Sequence, residues 1–201
     1  MAIILELNLI SVRFFDIVNV LQNINEYNLN FSVDTISYID NWMWENENEL
    51  KSNADIETYL NKEKIIVVKL KSFKFNDMGI YIERKNDEYY YNIWINTEGY
   101  PELDSDVINK DNIEFFNKLY NLLKKVLSEQ NIQYKILAIG EETLFFYSRD
   151  INNILTKSRN VISWIINEKL ENTFYLREYL KKEYSQKEIS GLNAIIFEKT
   201  D

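Results

Sequence analysis

The sequence predicts an α+β protein: a mainly antiparallel sheet with helices packed on one face, followed by a C-terminal helical extension. Three observations carry that expectation. Apolar and polar residues alternate in several short segments before position 97, the period of half-buried strands. Consecutive segments are separated by little more than Asn76-Asp77 in one place and Asn86-Asp87 in another, which suits tight antiparallel turns. Other segments carry apolar residues three and four apart, the spacing of amphipathic helices.

Ile3, Leu5, Leu7 and Leu9 face one way and Glu6 and Asn8 the other, so the chain opens with a strand. Ser11 is placed to cap a helix whose stripe runs through Phe14, Ile17, Val18, Leu21 and Ile24 and ends near Tyr27. Residues 31–39 are rich in β-formers and read as a strand. The polar stretch 40–53 reads as a loop, and Ser52 with Asp55 forms a capping box for a short helix through Leu60. Three strands follow in series, over 65–75, 79–84 and 89–96. Residues 97–110 hold the only proline, Pro101, among clustered acids, and read as a loop.

Asp111 with Glu114 opens a helix marked by Ile113, Phe116, Tyr120, Leu123 and Leu127, ending near Gln130. Residues 134–140 return to strand character. Beyond them Ile151, Ile154, Leu155, Ile162, Ile165 and Ile166 predict a helix over about 151–170. Phe174, Leu180 and Tyr184 predict another, and 192–197 is a short closing strand. Nothing rich in Pro, Gly or Ser divides the chain after position 140. A single domain over 1–201 is therefore expected, with 150–201 as the segment that could form a helical subdomain.

Composition narrows the chemistry. The chain has no histidine and no cysteine, which removes the commonest general base, the commonest metal ligand and the strongest nucleophile together. Four scattered glycines cannot form a phosphate-binding loop. The net charge of -9 repels phosphate backbones and anionic membranes and attracts basic proteins. The first ten residues are interrupted by Glu6 and Asn8 and lack a basic start, and no run is long enough to span a bilayer, so a cytoplasmic location is expected. The heavy use of Asn, Ile, Lys and Tyr reflects AT-rich coding DNA, as in low-GC bacteria, and says nothing of function.

Two acidic, aromatic segments are the candidate partner-binding sites. The first contains Asp40, Trp42, Trp44, Glu45, Glu47 and Glu49, with no basic residue before Lys51. Tryptophans supply desolvated contact area and the acids steer and pair with Lys or Arg; the plainer expectation folds the tryptophans back onto the core and leaves the acids in water. The second contains Glu98, Tyr100, Glu102, Asp104 and Asp106. Its Asp104-Ser-Asp106 faintly matches a calcium loop but lacks the glycine that the sharp turn needs, so a solvated acidic loop is the better reading.

Three further features weigh less. Glu141 and Glu142 are adjacent on a strand end, so their side chains diverge and no metal or acid–base pair is expected from them alone. In 88–96, Tyr89, Tyr91, Ile93 and Ile95 are expected to be buried. Tyr90, Asn92, Trp94 and Asn96 then lie on the opposite face, either open to a partner or covered by C-terminal helices. Lys69 and Lys71 share a face with Val67, which suggests an edge strand or a partly wet face.

Over its whole length this acidic, aromatic-rich layout resembles the immunity proteins of bacterial polymorphic-toxin systems. The likeness includes Trp94-Ile-Asn-Thr97, the acidic loop and Glu141-Glu142-Thr-Leu-Phe-Phe-Tyr147, and transfers no individual residue role. It implies a non-catalytic protein without a cofactor, which inhibits a basic cognate toxin stoichiometrically by covering its active site with acidic loops. The alternatives are a carboxylate-based, divalent-metal-dependent hydrolase, motivated by the acids of 98–111 and 141–142, and an acidic nucleic-acid mimic.

Overall fold

The computed structural model describes residues 4–25, 31–72, 77–98, 131–141, 161–167, 174–182, 184–188 and 194–199, together with Lys118, Asn121, Lys124, Lys125, Leu127 and Ser128. In chain order the strands are β1 (Ile4–Ser11), β2 (Ser32–Ile39), β3 (Asn48–Glu49), β4 (Ile65–Lys71), β5 (Met78–Lys85), β6 (Glu88–Asn96), β7 (Tyr134–Glu141), β8 (Val161–Asn167), β9 (Tyr184–Glu188) and β10 (Ala194–Lys199). The helices with continuous described residues are α1 (Ile17–Asn25), α2 (Ile56–Leu60) and α3 (Phe174–Leu180).

One sheet takes in all ten strands, in the order β3-β2-β4-β5-β6-β1-β7-β8-β10-β9. Every pairing is antiparallel. The run β4-β5-β6 is the expected meander. Asn86 and Asp87 both take positive φ, 54° and 62°, the two-residue turn that matches strand twist and that Asn and Asp tolerate best.

The architecture differs from the expected sheet with a helical layer on one face. The sheet dominates, and the longest continuous described helix has nine residues. The short helices contribute to both faces. On the first face, Leu5, Leu7 and Leu9 of β1 register with Ile95, Ile93 and Tyr91 of β6, and these pack with Ile80, Ile82, Ile66 and Val68. Ile17, Val18, Val20 and Leu21 of α1, Ile56 and Leu60 of α2, and Leu127 join that core. On the second face, Ile10, Tyr90, Ile136, Ala138, Trp164 and Ile166 pack with Leu176 and Leu180 of α3. Each of the buried Leu, Ile and Val side chains contributes roughly 1.5–3 kcal/mol, so buried apolar surface on both faces stabilises the sheet among the described residues.

The C-terminal extension is where the helical reading fails. Residues 161–167, expected inside a helix over 151–170, form β8, paired to β7 on one side and β10 on the other. Ile162, Ile165 and Ile166 imitate a helical stripe because both faces of an interior strand are apolar, and alternation then disappears. β-branched residues make up most of Val161-Ile162-Ser163-Trp164-Ile165-Ile166, which favours the extended chain. Of the helix expected through Phe174, Leu180 and Tyr184, α3 takes Phe174–Leu180, whereas Tyr184 begins β9. Residues 151–160 and 168–170 lie outside the described ones.

Asp16, rather than Ser11, caps α1: its Oδ1 accepts from the N–H groups of Val18 and Asn19 at 3.0 and 3.3 Å. Ser11 ends β1, and its single hydroxyl proton has the Arg13 and Gln133 carbonyls within reach, at 2.7 and 2.8 Å. β4 is not an edge: it lies between β2 and β5, and Lys69 and Lys71 emerge on a partly wet second face.

Candidate functional site

Residues 40–47 join β2 to β3 in a loop with an internal frame. Asp40 N–H donates to the Glu45 carbonyl at 2.9 Å and Trp44 N–H to the Asn41 carbonyl at 3.0 Å. Asn41 donates through Nδ2 to Glu45 Oε2 at 2.7 Å and accepts the Met43 N–H on Oδ1 at 2.9 Å. Asp40 is held from two sides, by Lys64 Nζ on Oδ1 at 2.8 Å and by Asn46 Nδ2 on Oδ2 at 2.9 Å. The Lys64 bond, then the Asn46 bond, hold the Asp40 carboxyl below its ordinary pKa, and Asp40 in turn raises Lys64. Ser37 Oγ donates to Glu47 Oε1 at 2.9 Å, tying the far side of the loop to β2.

This frame holds two residues in the left-handed region, Asn46 at φ 54° and Trp44 at φ 60°. Asn accepts that conformation readily, whereas a tryptophan there costs roughly 1–2 kcal/mol. The indole is not taken into the core. Trp42 and Trp44 are each 42% exposed and Met43 is 82% exposed, and Ile4 is the one other large apolar residue left so exposed among the described residues.

The loop reaches β5 through its two tryptophans. Trp42 and Trp44 meet the Tyr81 ring nearly at right angles, with centroids 5.3 and 6.3 Å away and interplanar angles of 80° and 83°. Tyr81 stacks in turn on Trp94 of β6, at 5.8 Å and 24°. Gly79 makes room for this indole: a Cβ there would stand 2.8 Å from Trp94 Cζ2 and 2.6 Å from the Val68 carbonyl oxygen. Burial, then the carboxylates of Asp77 and Glu6, raise the Tyr81 hydroxyl pKa, which keeps it a neutral donor. Glu6 lies beside Trp94 in register and accepts Asn92 Nδ2 at 2.9 Å. The buried Trp94 Nε1 and Asn92 Oδ1 have no hydrogen-bond partner among the described residues.

The sequence-level candidates separate on this surface. Trp42 and Trp44 come together on Tyr81 and neither leave the protein nor sink into its core. Asp40, Glu45 and Glu47 are engaged in building the loop, while the Glu49 carboxylate is exposed. Glu98 is exposed just past β6, its N–H donating to Asn96 Oδ1 at 2.9 Å. Tyr100, Glu102, Asp104 and Asp106 lie outside the described residues, as does Glu142. The second-face set of β6 divides: Tyr90 is buried in the core under α3, and Trp94 stays half-buried in the aromatic row. Tyr81 and Glu6 were not anticipated. Gly79, a glycine inside a strand two residues before Tyr81, was the available signal of a close approach.

A cleft elsewhere on the described surface offers less. About 610 Å³ in volume and lined by Leu60, Asn61, Glu63, Glu83, Arg84, Lys85, Asn86 and Asp87, it mixes both charge signs. Its Arg84 is already bonded to Asn61 and, at 3.3 Å, to Asp87. Among the described residues no three acidic side chains gather as a metal site would require, and no described helix is long and apolar enough to cross a membrane. Comparison of the chain with protein-family models, curated proteins and solved structures finds no match.

Proposed function

We propose that this chain is a non-catalytic binding protein of the immunity type, which occludes a basic protein partner with the face built from the 40–47 loop, Tyr81 and Trp94. The observation that carries this reading is the exposure of Trp42, Met43 and Trp44 on a loop that is otherwise cross-tied. A preorganised aromatic tip loses little conformational entropy on docking, which is how interface hot spots gain their strength. The surplus of acids over bases in the chain, 32 against 23, supplies the complementary field for a basic surface.

The test mixes the purified chain with the basic protein encoded beside its gene. A one-to-one complex that weakens as salt rises is expected. The Trp42→Ala/Trp44→Ala variant should keep its circular dichroism and lose on the order of a hundredfold in affinity. No complex, or one indifferent to both tryptophans, overturns the reading.

A further inference from the structure

Resting on that reading, we propose that the corner formed by Tyr81, Trp42 and Trp44 receives an arginine side chain of the partner. Two indoles stand edge-on to the phenol ring, their planes at 80° and 83° to it and their centroids 5.3 and 6.3 Å away, so three aromatic rings meet in one exposed patch. Trp94, stacked behind Tyr81, fixes the phenol from the other side. A carboxylate lies beside this row: Glu6 is in register with Trp94 and accepts Asn92 Nδ2 at 2.9 Å, and its charge, with that of Asp77, reaches the Tyr81 hydroxyl.

A ring face beside a carboxylate is the environment a guanidinium uses fully. It stacks flat on the ring while its in-plane N–H groups reach the acid. An ammonium can do only the second and gives up more hydration in the attempt. Both indoles remain partly wet at 42% exposure, so the gain from pairing must exceed a modest desolvation cost, which favours the weakly hydrated cation. Lys69 stands exposed on the same face, opposite Gly79 in register, and its like charge sets the limit of the cation-receiving area toward β4.

The experiment reads the four indole N–H resonances of the 15N-labelled full chain during titration with short polyarginine, polylysine and polyglutamate peptides. Trp164, wholly buried in the core under α3, is the internal reference. Polyarginine is expected to move the Trp42, Trp44 and Trp94 signals and leave Trp164 in place, with polylysine about tenfold weaker and polyglutamate inert. Trp42→Leu and Trp44→Leu should each abolish the preference for arginine while the Trp164 signal keeps its position. Equal response to polyarginine and polylysine overturns the arginine seat and leaves the basic-partner reading standing. No response to either cationic peptide overturns both. Movement of Trp164 together with the others overturns the corner as the place of binding.

Discussion

Lys135 and Glu88 form an ion pair inside the protein, across the intervening strand β1. Lys135 Nζ donates to Glu88 Oε1, and the two side chains are only 10% and 5% exposed. Tyr90 Oη donates to the other carboxylate oxygen at 2.5 Å. The register of β1 against β7 shifts between Ile10 and Ser11, beside Lys135, as happens where a bulge redirects a side chain.

Removing one member of this pair should cost far more than removing both. Lys135→Met strands a buried carboxylate, so a loss of roughly 3–5 kcal/mol in urea unfolding is expected. The double variant Lys135→Met/Glu88→Gln has no uncompensated charge and should recover a large part of that loss. A double variant as unstable as the single one would mean that the pair itself, and not the stranded charge, supplies the stability.

Trp44 allows a test of site against core. A packed tryptophan truncated to a small residue costs about 3–5 kcal/mol. Here Trp44→Gly also releases the left-handed strain of roughly 1–2 kcal/mol. Trp44 is 42% exposed, so only part of that packing is at stake and the released strain offsets much of it; the variant is expected within about 1–2 kcal/mol of the parent in urea unfolding, while partner affinity falls steeply. A loss of several kcal/mol would make Trp44 a structural residue.

The same residues explain what the sequence allowed to be read. The meander β4-β5-β6 was legible because each strand is bounded by turn chemistry, and Asn86-Asp87 takes the positive φ values that such turns need. The two-sided burial of the sheet was not. Val161-Ile162-Ser163-Trp164-Ile165-Ile166 lacks alternation because both its faces are covered, and a local pattern cannot reveal neighbours from β7 and β10. At the candidate site the composition of 40–47 singled out a loop on which Trp42, Met43 and Trp44 are exposed. The roles inside it were hidden: Asp40, Glu45 and Glu47 bond within the loop or to Ser37 and Lys64, and the tryptophans find a tyrosine some forty positions on. Long-range pairing of that kind leaves no trace in spacing.

Gly79 is expected to resist substitution for steric reasons. The Cβ of Gly79→Ala would meet backbone at 2.6 Å, and the Val68 carbonyl is fixed inside the sheet and cannot retreat. Overpacking of this sort costs roughly 1–3 kcal/mol, to be read from the urea midpoint. The Trp94 ring must also shift, so its indole N–H resonance should move well before unfolding. A variant with parental stability and an unmoved Trp94 signal would contradict the close approach.

Alkaline pH should unfold the protein through its buried tyrosines. Tyr91 exchanges hydrogen bonds with the backbone of Phe15, accepting from its N–H and donating to its carbonyl, each at 3.1 Å. Burial drives its pKa far above the ordinary tyrosine value, and burial also pushes Tyr134 up to about 12. Both folded-state values are raised, so the neutral phenols contribute their full stability below the ordinary value of 10.0. That contribution declines as pH rises through the folded values, at up to about 1.4 kcal/mol per pH unit for each group. Phenolate absorbance and far-ultraviolet circular dichroism followed together should therefore show a fraction of the tyrosines ionising only as the sheet is lost. Tyr91→Phe removes one of these linked protons and should make the stability less steep in pH over that window. Complete ionisation near the ordinary value with the circular dichroism unchanged would place Tyr91 and Tyr134 in water, against the packing of β6 and β7 described above.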